Sequence, residues 1–332
     1  MEQKYIYKHP IYSILKDPGY PIMETATAFA PTNIALIKYW GKRNSFYNLP
    51  FTSSISISLR NKGTLTTISL SNDGKDKYYL DKKFMHKEHP FSQRIFKFLN
   101  GIRPKKLGFI IHTQNNFPSN VGLASSASGF CALVLALNKL FNWKMSYIDL
   151  SRLSRIGSGS ACRSLWNGFV KWQSGKDFQG KDSYGIQLNI SWKEFRIGIP
   201  FINKKKKIIS SRIGMNHTVK TSKDFFLWIK YTKKYLRIFE KSLYEKNFQN
   251  IGYITESHSL YMHTIIENSI PPIYYRTIET LKIQKKVYNL RKNGISVFFT
   301  QDAGPNIILI FLNDIEKIIQ KKFPGINIIN PF

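Results

Sequence analysis

Strands with interspersed helices, followed by long helices with a small sheet, predict an α+β fold in two lobes, with ligands held in a central cleft between them. One observation is the period-two alternation of residues 54–59 and the β-branched run at 64–70. Another is the amphipathic helical spacing over roughly 222–246, 248–266 and 273–292. The third is bulk: 332 residues, 42% hydrophobic and 14% aromatic, can fill one large core or two smaller ones.

Residues 1–24 mix polar, aromatic and Pro/Gly content and read as an N-terminal extension packed loosely on the surface. Residues from 25 alternate as a strand does and are expected to turn at Ala30-Pro31-Thr32-Asn33. A hairpin through Asn61-Lys62-Gly63 is expected to join the strands at 54–59 and 64–70. The polar loop 71–90 holds a short strand at 78–80, and apolar residues at 91, 95, 96, 98 and 99 mark a helix. A strand at 107–111 leads into a small-residue stretch over 116–129. That stretch runs into an Ala/Leu-rich apolar segment at 130–137, which has the character of a buried helix.

A short helix at 147–153 precedes the Gly/Ser-rich loop 155–165, and strands are expected at 168–173 and 194–199. The polar run 203–211 marks the expected boundary between a first, ATP/phosphate-binding lobe over 25–205 and a second over 206–332. After the long helices, strands at 295–300 and 306–312 flank a tight turn holding Asp302. A helix at 314–322 and a last strand at 326–329 complete the chain. Repeats and low-complexity tracts are absent from the sequence.

No uninterrupted apolar run approaches 18 residues, so no transmembrane helix is expected, and the first residues lack a signal-peptide apolar core. Cys131 and Cys162 alone do not make a disulfide framework; they suggest a reducing compartment, and their spacing predicts no structural zinc. The net charge of +30 has two readings, a polyanion partner or compositional drift in a chain rich in Lys, Ile and Asn. The lysines are spread from end to end, which is weaker support for a nucleic-acid site than a stripe would be.

Gly122, Ser125 and Ser126 sit at or just before a helix start, where unpaired N–H groups and a partial positive charge favour an oxyanion. An ordinary Gly/Ser helix cap satisfies the same pattern. Lys38, Tyr39, Lys42 and Arg43 crowd a segment that suits either a phosphate pocket or a solvated basic turn. The second Gly/Ser loop offers amides, hydroxyls and the Arg163 guanidinium together, a set suited to a carboxylate or phosphate. Residues 175–182 nearly match a P-loop but end in Asp182 where Ser or Thr is required, and no apolar helix follows. Asp302 reads either as a turn former or as a base aimed into a cleft, where Lys38 beside it would keep it charged. No metal-spaced His pair and no Gly-x-Ser-x-Gly elbow supports zinc or serine-triad chemistry.

Five segments in order, 33–43, 115–118, 122–127, 157–164 and 302–306, resemble the signatures of diphosphomevalonate decarboxylases, within the galactokinase, homoserine kinase, mevalonate kinase and phosphomevalonate kinase superfamily. The resemblance implies that superfamily's two-lobed fold. It also implies ATP-dependent decarboxylation of mevalonate 5-diphosphate to isopentenyl diphosphate, with ATP and Mg²⁺ as cofactors, in a cytoplasmic homodimer. It makes Asp302 the base for the 3-hydroxyl and sets Lys38 against the transferring phosphoryl. Arg163, with Ser158, Gly159 and Ser160, would hold the substrate carboxylate. Tyr39, Lys42 and Arg212 would hold the 5-diphosphate, and Ser211 would stand near the reacting centre. Asn116, Gly122, Ser125 and Ser126 would hold the nucleotide; which residues touch the metal is left open. Ser119-Asn120-Val121, Ser128 and Asn167 depart from the family's usual residues. A 5-monophosphate decarboxylase, a 3-kinase that stops after phosphorylation, and a nucleic-acid binder reusing the fold are the alternatives.

Overall fold

A computed structural model describes residues 9–104, 107–117, 125–200 and 209–332. The α+β reading holds. β1 (Thr25–Ile37), β2 (Lys42–Asn44), β3 (Leu49–Pro50), β4 (Ser54–Leu70), β5 (Lys77–Leu80) and β6 (Lys83–Phe84) precede α1 (Pro90–Asn100). β7 (Phe109–Asn115), α2 (Ser125–Leu140), α3 (Tyr147–Gly157), a 3₁₀ turn (Gly159–Arg163), β8 (Phe169–Trp172), β9 (Gly185–Gln187) and β10 (Phe195–Ile199) follow. Four helices come next: α4 (Ser211–Thr221), α5 (Phe225–Tyr244), α6 (Phe248–Glu267) and α7 (Ile278–Lys292). β11 (Phe298–Gln301), β12 (Ile307–Leu312), α8 (Glu316–Lys322) and β13 (Asn327–Ile329) end the chain.

The larger sheet runs β6-β5-β7-β4-β8-β9, with β1 also paired to β4, and only β5–β7 is parallel among its described pairings. The smaller sheet runs β11-β12-β10-β13. One core cluster sits between α1, α2, α3 and the larger sheet, around Ile68, Phe109 and Phe130. A second joins the far half of β1 and β4, through Ile34, Ile37, Ile55 and Ile57, to the smaller sheet and α6. A third, around Trp40, Met215, Trp228, Met262 and Ala303, joins α4, α5 and α6 to the residues just past β1 and β11.

Several local expectations are corrected. The predicted turn at residues 30–33 is a register shift inside one continuous strand, because Pro31 and its neighbours are buried against β4 and cannot leave the sheet. The expected 61–63 hairpin is likewise an excursion within β4: Pro31 pairs with Gly63 and Asn33 with Ser58. α4 was not expected. Gly214, Asn216 and the β-branched Thr218, Val219 and Thr221 disguise it, but the Ser210 hydroxyl accepts from Ile213 N–H and caps its start. α7 begins later than predicted, where Thr277 and Thr280 form a capping box after the Pro271-Pro272 segment. The expected Gly/Ser loop is the end of α3 and a 3₁₀ turn. The described part of the N-terminal extension is not loose: Ile11 is fully buried in the first core, and Trp143 donates to the Pro18 carbonyl. The rejected P-loop match is a turn closed by its own acid, with Asp182 accepting from Lys176 and Asp177 N–H.

Candidate active site

Lys38 is the first residue past β1, and Asp302 the first past β11. Both strands end at the same place, so residues far apart in sequence meet: Lys38 Nζ lies 2.6 Å from Asp302 Oδ1. The lysine side chain is 1% exposed and the aspartate 31%. Lys38 Nζ also donates to the Ala35 carbonyl at 2.9 Å, as does Thr300 Oγ1 at 3.3 Å, so one carbonyl ties β11 to the ammonium. Burial pulls the lysine below its ordinary range and Arg163 adds to this, while Asp302 opposes it. An ion pair set between a buried cation and a half-open acid holds the carboxylate in one orientation, with its face toward a cavity.

Asn33, Lys38, Tyr39, Ser160, Arg163, Ser211 and Asp302 line that cavity. Arg163 closes the 3₁₀ turn, is 2% exposed and donates to the Ser54 hydroxyl, with its guanidinium 5.9 Å from the Trp172 ring. Its Nε and the Tyr39 hydroxyl are buried without a hydrogen-bond partner among the described residues. Donors left open beside a cavity are what an anionic ligand would satisfy. Gly159 is small for a reason, since a Cβ there would come within 2.9 Å of the Tyr39 hydroxyl and 3.1 Å of Trp172. Ser158 caps α3, its N–H donating to the Ser154 carbonyl, and is 8% exposed.

A second pocket includes Ser45, Asn48, Arg94, Lys97, Gly157 and Arg212 in its lining. Lys42 borders it by donating to Asn48 Oδ1 at 2.6 Å, while the Asn48 amide donates to the Arg155 and Ile156 carbonyls. Burial pushes Lys42 down to about 7, with Arg212 and Arg94 adding to the shift. Burial and then Arg212 push Arg94 down to about 10. Cations held together without an acid among the described residues make a site for a multiply charged anion. Ser211 faces the first cavity and Arg212 the second, so the start of α4 stands between them.

Arg94 escaped the sequence reading. The available signal was a cation on the apolar ridge of α1, between Phe91 and Phe98, where it lies 5.0 Å from the Phe130 ring centroid. His258 also escaped it; this fully buried ring accepts the Lys38 N–H.

The nucleotide residues are placed in part. Ser125 opens α2 and Ser126 follows it, whereas Gly122 lies outside the described residues. Asn116 braces the β4 excursion, its Oδ1 accepting from Gly63 N–H at 2.8 Å and its amide donating to the Asn61 carbonyl at 2.6 Å. Among the described residues no group of three or more His, Cys, Asp or Glu side chains could hold a metal ion. A divalent cation here would be carried by phosphates rather than by a protein cage. No described helix is long and apolar enough to cross a membrane.

Residues 30–185 match the model of the diphosphomevalonate decarboxylase-like N-terminal domain, and residues 197–326 that of the mevalonate 5-diphosphate decarboxylase C-terminal domain. The diphosphomevalonate decarboxylase of Debaryomyces hansenii is 36% identical over 328 residues, covering 91% of this chain and 84% of its own. The crystal structure of mevalonate diphosphate decarboxylase from Staphylococcus aureus superposes with a TM-score of 0.86 at 31% identity, covering 93% of this chain and 96% of that one. A solved complex of MDDEF with MVAPP, AMPPCP and magnesium gives 0.84 at 33% identity, over 92% and 99%. The chain belongs to the diphosphomevalonate decarboxylase family.

Proposed function

We infer that this protein catalyses the ATP-dependent decarboxylation of mevalonate 5-diphosphate to isopentenyl diphosphate, releasing ADP, phosphate and CO₂. The observation that carries the reading is the Lys38–Asp302 pair facing Arg163 across one cavity, beside an unneutralised cation cluster. Bound ATP with Mg²⁺ supplies the phosphoryl group that turns the 3-hydroxyl into a leaving group. Asp302 accepts the hydroxyl proton, since a tertiary alcohol is a poor nucleophile until that proton is taken. Lys38 faces the charge that builds on the oxygens around it. Arg163, with Ser158, Gly159 and Ser160 on the adjoining turn, grips the carboxylate that departs as CO₂. Its buried guanidinium keeps that carboxylate ionised, and loss of CO₂ then pushes electrons toward the departing phosphate. Lys42, Arg94 and Arg212 hold the 5-diphosphate, with Tyr39 adding its hydroxyl and Ser211 standing at the reacting centre. Asn116, Gly122, Ser125 and Ser126 form the nucleotide side.

The same reading includes a cytoplasmic homodimer. Two buried unpaired cysteines support a reducing compartment. It also divides the chain into an N-terminal extension over 1–24 and lobes over 25–205 and 206–332, with the cleft between the lobes. β10 would then be lent by the first lobe to the second lobe's sheet.

The test follows ADP and CO₂ together from purified protein, MgATP and mevalonate 5-diphosphate. Equal release is expected. ADP without CO₂ would make the protein a 3-kinase and remove the role given to Arg163. Turnover of the 5-monophosphate alone would remove the role given to the cation cluster.

A further inference from the structure

Lys38 leaves β1 beyond a register shift between Ala35 and Ile37. Its N–H is a buried donor past the end of the strand ladder, and such a donor needs a partner. The partner is His258 Nδ1 on α6, at 3.0 Å. Because Nδ1 accepts, the ring proton sits on Nε2, which donates to Thr232 Oγ1 at 3.1 Å. Thr232 Oγ1 in turn donates to the Trp228 carbonyl at 2.8 Å, and the imidazole packs 4.3 Å from the Trp228 ring. His258 and Thr232 are both fully buried. Burial, with Lys38 adding to it, pushes the imidazole down to about 3, so it stays a neutral acceptor across the working range.

The next residue on α6 acts on the other half of the pair. Ser259 Oγ donates to the Gln301 carbonyl at 3.0 Å and accepts the Gln301 N–H at 2.9 Å. Two consecutive residues of one helix therefore fix the backbone at Lys38 and immediately before Asp302. We propose that His258 is a positioning residue: by accepting the Lys38 main-chain N–H it sets where the Lys38–Asp302 pair stands in the cavity. The catalytic consequence rests on the decarboxylase reading; the placement of Lys38 does not.

Side-chain geometry supplies the test. An Asn side-chain oxygen falls near the position of Nδ1, a Gln oxygen near that of Nε2, and Leu offers neither. The variants His258→Asn, His258→Gln and His258→Leu, with Thr232→Val to free the tautomer, are compared by amide hydrogen exchange at Lys38 without ligands and by ADP and CO₂ release. His258→Gln and His258→Leu are expected to speed exchange at Lys38 and to lower kcat by about 10- to 100-fold, with both KM values within about threefold of the parent. His258→Asn should keep slow exchange and near-parental kcat, and Thr232→Val should fall between. If His258→Leu fails to fold, the contrast between Asn and Gln decides. Equal behaviour of those two, or parental behaviour of all four, would overturn the proposal. If the parent protein released neither product, the decarboxylase reading would fall, and the exchange contrast alone would uphold or overturn the positioning of Lys38.

Discussion

Asp302 is the residue with most at stake, because its oxygen is at once the partner of Lys38 and the proposed proton acceptor. Asp302→Asn keeps the size and turn geometry but removes the base. It should lower kcat by roughly 10³-fold or more with ATP binding near parental, while the melting temperature falls because the buried Lys38 ammonium loses its counter-charge. Arg94→Ala tests the cation cluster. Loss of one charge-assisted contact to the 5-diphosphate should raise KM for that substrate by about 10- to 100-fold with KM for ATP unchanged. Lys42 gives the cluster a pH signature. Its folded value, about 7, lies below the ordinary lysine range, so between those values the unfolded chain binds more protons. Stability from this group therefore rises with pH from about 7 upward and is lowest below that point. A bound diphosphate favours the ammonium, so binding at pH 8 should take up a proton. Calorimetry in buffers of different ionisation enthalpy would read that uptake, and Lys42→Met should abolish it.

Elements carry these residues to one place through close approach. α6 can lie against β11 because residue 252 has no side chain: a Cβ there would stand 2.0 Å from the Phe298 ring. Gly252→Ala should destabilise the fold by about 1–3 kcal/mol in urea titration, as overpacking does. It should also lower kcat, because α6 holds both His258 and Ser259. A parental kcat in the destabilised variant would separate helix seating from catalysis. The elements were legible in the sequence where periodicity was strong, as in α5 and α6, or where a short apolar run lay between turn residues, as in β12. They were hidden where local chemistry imitated something else. Pro31 mimicked a turn inside β1, and weak helix formers concealed α4, whose ends are set by the Ser210 cap and tertiary packing rather than by propensity. The site was legible only as residue types. Lys38 and Asp302 are 264 positions apart, and nothing local to either predicts a 2.6 Å contact; the order of the resembling segments supplied the pairing. Arg94 and His258 lie outside those segments, so only the folded chain reveals them.

At the scale of the molecule, 50 Lys and Arg against 20 Asp and Glu leave a formal charge of +30. Much of the acid is already engaged: Asp76 with Arg103, Glu240 with Lys171, Glu256 with Arg291 and Glu267 with Arg276. The remaining cations repel one another across the surface, which opposes the compact state. Two opposing effects of salt then decide the sign of its action. Screening weakens partly exposed ion pairs, each worth about 0–1 kcal/mol, but it also weakens repulsion summed over a large excess of like charge. With so many unpaired cations the second effect should dominate, and the melting temperature should rise as NaCl is increased from about 0.05 to 0.5 M, a range over which the screening length falls below about 10 Å. Substrate affinity should move the opposite way, because the cluster around Lys42 attracts a diphosphate through the same field. A melting temperature that falls with salt would mean that ion pairs outweigh the charge excess. A salt-stabilised protein that also bound duplex DNA with MgATP saturating would mean that the excess serves a polyanion rather than reflecting composition, and the slope of log affinity against log salt would count the phosphates engaged.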